Sequence, residues 1–112
     1  MSEAQTQADA IRAMSHNTLD DAIAIEVMGF EKRPGGWECS RHGTSLERVI
    51  AHWQNVGGRI QISVDPLGYH AVAMRHDRDD WAQAAIKRGT LPRAVCEAIL
   101  MAQRDVSQDD AA

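Results

Sequence analysis

The chain has 112 residues, twelve of them basic and sixteen acidic, for a formal charge of −4 at neutral pH. That length makes one domain, since two would each be too small for a useful core, and a hydrophobic content of 44% excludes a wholly disordered chain. The acidic balance argues against a phosphate-gripping surface, so no direct DNA binding is expected, and it suits a basic protein partner. No apolar run reaches the roughly 20 residues of a membrane span.

The opening residues, MSEAQTQADAIRAMSHN, are polar and lack a basic-then-apolar layout. They are read as a flexible or weakly helical lead-in over 1–16, without a secretory signal. The single domain is expected over 17–104, and a disordered tail over 105–112. The two cysteines, Cys39 and Cys96, define no disulfide framework. A reduced, cytoplasmic setting is therefore expected.

In NTLDDAIAIEVMGF, Asn17 or Thr18 is placed to cap a helix, with Asp20 and Asp21 in its first turn. Leu19, Ile23, Val27 and Phe30 follow helical spacing, and Gly29 suits a left-handed end. EKRPGGWEC reads as a turn and a short strand over 37–39. GTSLERVIAHWQNVGG carries a capping box of Thr44 and Glu47. Its apolar stripe is Leu46, Val49, Ile50 and Trp53, and Gly57 and Gly58 stop it.

RIQISVD alternates, placing Ile60, Ile62 and Val64 on one dry face. YHAVAMRH follows as a hairpin partner, apolar on both faces over 71–74, which predicts cover on both sides. WAQAAIKR reads by context as a third strand over 81–88. GTLPRAVCEAILMAQRD is a helix capped at Thr90, with Pro92 in its first turn. It is dry nearly all round, leaving Arg93, Glu97 and Arg104 as a narrow wet strip. Its broad dry side fits either a sheet or a second copy of the chain. Cys96 then reads as interior packing rather than a nucleophile. The expected fold is α+β: a small antiparallel sheet of three to four strands packed with about three helices, in the order α-β-α-β-β-β-α.

Candidate chemistry is sparse. Cys39 and His42 have the spacing of half a zinc knuckle without a second pair, so no metal is expected. His70 and His76, on one strand, lie roughly 20 Å apart and cannot share an ion. Asp77, Asp79 and Asp80 lack the calcium-loop pattern. RHGTS leads into a helix N-terminus, where Arg41, His42, Thr44 and Ser45 could hold a small anion or nucleotide. Trp37 and Trp81 each follow a turn, and with Tyr69 they are candidate partner contacts. No cofactor is implied.

Three pieces of the chain together resemble a known family: LDDAIAIEVMGF, SLERVIAHWQNVGG and, most specifically, TLPRAVCEAILMA. The pattern, bracketing about residues 18–103, is similar to that of the phage ABA sandwich domain. The resemblance implies helices layered around an antiparallel sheet, and a phage or prophage origin, with no catalytic residues to carry over. The expected function is a non-enzymatic binding protein that engages a host protein or ribonucleoprotein in the bacterial cytoplasm, such as an anti-defence, anti-CRISPR-like inhibitor. The alternatives are an anion or nucleotide binder using residues 41–45 and, last, a small hydrolase.

Overall fold

A computed structural model describes residues 3–41, 43–66, 68–79, 82–83 and 90–104. The helices are α1 (Glu3–Arg12), α2 (His16–Ala22), α3 (Gly43–Asn55) and α4 (Leu91–Gln103). A π-helical segment, Ile23–Val27, continues α2. The antiparallel sheet runs in the order β1 (Arg59–Asp65), β2 (Gly68–Met74) and β3 (Ala82–Gln83). The fold is therefore α+β. Its sheet is essentially the β1–β2 hairpin, with a two-residue β3 alongside. The expected third strand over 81–88 otherwise lies outside the described residues.

α4 is the centre of the molecule. The sheet packs on it, chiefly through β2, and so do α1, α2, the π-helical segment and α3. Every residue from 93 to 102 is buried, because this helix has no solvent side to spare. Two of the three positions expected to be wet, Arg93 and Glu97, are inside; only Arg104 is exposed. Periodicity alone could not foresee this, since it identifies polar positions but not a partner able to satisfy them.

That partner is α1. Arg93 Nε donates to Glu97 Oε2 at 2.6 Å, one helical turn away. Its Nη2 reaches the carbonyls of Ile11, Arg12 and Met14 at 3.4, 3.2 and 2.7 Å. Helix C-termini leave carbonyls without intrahelical donors, and one guanidinium supplies them here. Ile11 is fully buried, so α1, which the sequence reading had set in a lead-in, packs into the core.

α2 is capped by Ser15, whose Oγ accepts from the Thr18 amide at 3.1 Å, rather than by Asn17 or Thr18. Asp20 is turned inward and fully buried. The π-helical segment shifts the frame so that Ile23, Ala24 and Val27 all face the core, and Gly29 follows at φ +78°. Residues 37–39 form no strand, lying instead between and into turns at 35–36 and 39–41. α3 begins at Gly43, so Thr44 lies inside the helix and is not its cap. Leu46, Val49 and Trp53 are buried along the expected stripe. Gly58 is required where it stands, because a Cβ would fall 2.4 Å from the Trp53 ring.

In the hairpin, Ile60, Ile62 and Val64 pair with Ala73, Ala71 and Tyr69 and share their face. The two alanines are fully buried, small enough to let α4 sit close over β2. On the opposite face Val72 and Met74 are half-buried, so the cover expected on that side is partial. α4 covers the face of β2 that carries Ala71 and Ala73. β2 ends at Met74, so His76 does not share its strand with His70.

Arg93→Met removes the donor to two α1 carbonyls and to that of Met14 just beyond, and the close partner of Glu97, while keeping an apolar stem. Truncating one partner of a buried ion pair costs about 3 kcal/mol. Urea unfolding is expected to show a loss of that size, with α1 amides losing hydrogen-exchange protection first.

Candidate functional site

In the segment 41–45, the side chains of Arg41 and Ser45 are engaged by neighbouring parts of the protein. Arg41 Nη2 donates to Asn17 Oδ1 at 2.9 Å, and its amide donates to the Glu38 carbonyl at 2.9 Å. Ser45 is buried, and its Oγ accepts from the Glu38 amide at 3.3 Å. Thr44 is exposed, and His42 lies outside the described residues. Arg41 and Ser45 thus hold the 37–41 turn against α2 and α3, and neither side chain is turned toward a common ligand position.

Trp37, expected at the surface, is 2% exposed. Its ring meets Phe30 edge-on, with centroids 5.4 Å apart and planes at 87°. The Arg48 guanidinium lies over both rings, 5.3 Å from Trp37 and 5.9 Å from Phe30. This is a core anchor closed by a cation–π lid, and the run RPGGW contains no signal for that closure. Trp81 lies outside the described residues. Tyr69 is half-buried in β2, directly opposite Val64.

The surface that stands open is β1. Val64 is 70% exposed and Ile62 43%, both on the face that α4 covers at β2. A helix is about 10 Å across and strands are about 4.8 Å apart, so a helix seated over β2 cannot also roof the far end of its neighbour. At the near end of β1 the side chains of α3 approach. Trp53 Nε1 donates to the Arg59 carbonyl at 3.2 Å. A cleft of about 410 Å³ opens there, lined by Ile50, Trp53, Gln54, Gly58, Arg59, Ile60 and Gln61. The alternation in RIQISVD revealed which side chains share a face, but not that the face is uncovered. The clue available was the pair of alanines in β2, which marks where α4 packs on that strand.

Beneath the 37–41 turn lies a buried polar cluster. Asp20 Oδ1 accepts from the Ser40 amide at 2.9 Å and from Cys39 Sγ at 3.5 Å. The Cys96 thiol is pushed well up from its ordinary value by its hydrogen bond to Cys39, by burial, and by the Asp20 charge. Both thiols are free and buried. Ser40 Oγ lies 2.8 Å from His16 Nδ1, the spacing of a nucleophile and its base. Ser40 is fully buried, however, so this hydroxyl pins the turn to the start of α2 and is not presented to a substrate. Among the described residues, no cluster of three or more His, Cys, Asp or Glu could hold a metal ion. Nor is any helix long and apolar enough to cross a membrane.

No family model matches the chain, and neither a curated protein nor a solved structure shows significant similarity to it.

The Cys96 environment has a pH consequence with a definite sign. The folded thiol holds its proton above the unfolded value of about 8.5. The stabilisation is therefore complete below that value and is lost as pH rises toward and through the folded one. Between about pH 7 and pH 10, the unfolding free energy of the native protein is expected to fall more steeply than that of Cys96→Ala. Parallel slopes would show that the thiol is not protected.

Proposed function

We propose that this protein is a non-catalytic binding module that engages a macromolecular partner through the open face of its hairpin, centred on Ile62, Val64 and Tyr69. The observation that carries the reading is the exposure of two large apolar side chains, Ile62 and Val64, on one face of a regular strand. Contiguous apolar surface at a fixed place on a folded domain is the usual mark of a contact site. The face belongs to a strand anchored by seven register pairs, so it is presented in a defined shape.

The partner class follows from charge and from resemblance. A net charge of −4 favours encounter with a basic surface. The resemblance of the sequence pattern to the phage ABA sandwich domain supports reading that surface as part of a host protein or ribonucleoprotein. The biological role proposed is inhibition of host defence in the bacterial cytoplasm, in the manner of an anti-CRISPR protein.

The test uses an apolar residue elsewhere as its control. Ile25, on the π-helical segment, is 49% exposed. Capture of the host complex by immobilised protein is expected to weaken about tenfold or more with Val64→Asp or Ile62→Asp, as for hot-spot residues. Ile25→Asp should leave capture unchanged, and thermal unfolding should show all three variants folded. Equal capture by all four proteins would remove the hairpin face from the contact.

A further inference from the structure

β1 is an edge strand: the sheet order is β1-β2-β3. It runs for seven residues in unbroken register with β2, from Arg59 opposite Met74 to Asp65 opposite Gly68. Proteins commonly guard such an edge with a proline, a bulge, a mid-strand charge or a very short strand. β1 has none of these in its interior, and its only charges are the two end residues, Arg59 and Asp65. The edge is built to be paired.

Its sequence also states what would pair with it. Laid antiparallel against itself about Ile62, the strand RIQISVD sets Ile62 opposite Ile62 of the second copy and Ile60 opposite Val64. Gln61 then faces Ser63, and Arg59 faces Asp65 at both ends. Apolar meets apolar, polar meets polar, and each end is an opposite-charge pair, which is the self-complementarity a two-fold interface requires. A slip of one residue would bring apolar side chains opposite polar ones and misalign the end charges.

The surrounding shape agrees. The two-fold carries the exposed Val64 of one copy to Ile60 of the other, beside the cleft bounded by Ile50 and Trp53. Each copy thus brings a protruding valine to the end of the strand where the other has space. With strands about 4.8 Å apart, the two α4 helices over β2 and its mate would sit roughly 14 Å apart, clear of the 8–10 Å of packed helices.

We propose that the protein forms a two-fold dimer by antiparallel β1–β1 pairing centred on Ile62, joining the two hairpins into one continuous sheet. The dimer uses the backbone edge of β1, while the host contact proposed above uses its side-chain face. The two are therefore measured separately: the mass of the isolated protein reports the first, and capture of a partner reports the second.

Light scattering of the purified full chain over a wide concentration range is expected to show a monomer–dimer equilibrium. Arg59→Asp and Asp65→Arg each place like charges at both ends and should weaken the dimer about tenfold or more. An equimolar mixture of these two variants makes every end pair opposite in sign again and should dimerise as a heterodimer. In a second arm, Ile62→Cys with an added oxidant should cross-link to a covalent dimer. Val64→Cys should not, because the two substituted positions lie roughly 13 Å apart in this register. A native chain that stays monomeric throughout, a dimer indifferent to both charge variants, or cross-linking at 64 in place of 62 would each overturn the proposal. A monomer that binds an added extended peptide along β1 would overturn it as well, assigning the edge to a different partner.

Discussion

The Arg93 guanidinium ties the two ends of the described chain together, and much of the architecture depends on it. α1 has ten residues, a length at which an isolated helix is marginal in water. Its C-terminal carbonyls point into the protein and are satisfied there by one side chain from α4. Glu97, one turn further along α4, balances the charge. An arginine suits this place better than a lysine, because its planar fork can donate to a carboxylate and to several carbonyls at once. Once that donor is in position, α4 can be buried on every side, and an all-round buried helix becomes the axis on which sheet and helices are hung.

The same constraint explains why the sheet is left open. α4 carries both the sheet and four helical segments, and it meets the sheet chiefly at β2. Ala71 and Ala73 let α4 approach β2 closely, and close approach centres its roof on that strand. β1 is held by its pairing with β2 and, at its start, by the Trp53 indole. The remainder of its apolar face projects past the helix. Openness here is a geometric result of where α4 sits, not of a weak or irregular strand.

Much of this was legible in the sequence where periodicity was decisive. The bounds of β1, the stripe of α3, the extent of α4 and the interior place of Cys96 all follow from spacing and punctuation. Legibility failed where a polar residue found a distant partner. Arg93 and Glu97 sit at positions that read as wet, and nothing within α4 announces the carbonyls of α1. Asp20 read as a dipole-favoured first-turn residue but serves the 37–41 turn, 20 residues away. Trp37 read as a candidate partner contact because it follows a turn, yet Phe30 and Arg48, from two other segments, enclose it. For the candidate site, residues 41–45 were singled out by type, but the Arg41 and Ser45 side chains are engaged in internal hydrogen bonds. The open face was visible as an alternation and mistaken for a buried one, since a period of two reports a shared side and not what lies above it.

β1 also separates recognition from stability within one small chain. Core side chains such as Leu19, Ile23, Val49 and Ile99 are enclosed, and changes there would cost cavity energy. Ile62 and Val64 contribute little to that core at 43% and 70% exposure. A polar β-branched residue such as threonine would hold the strand conformation about as well while sparing the protein an exposed apolar patch. A domain with only one well-developed hairpin has little surface to place at risk, so two large aliphatic side chains on an unguarded edge are hard to account for by folding alone. They are accounted for if the edge and the face are both meant to be covered, the first by a strand of matching charge pattern and the second by a larger surface laid across the joined sheet.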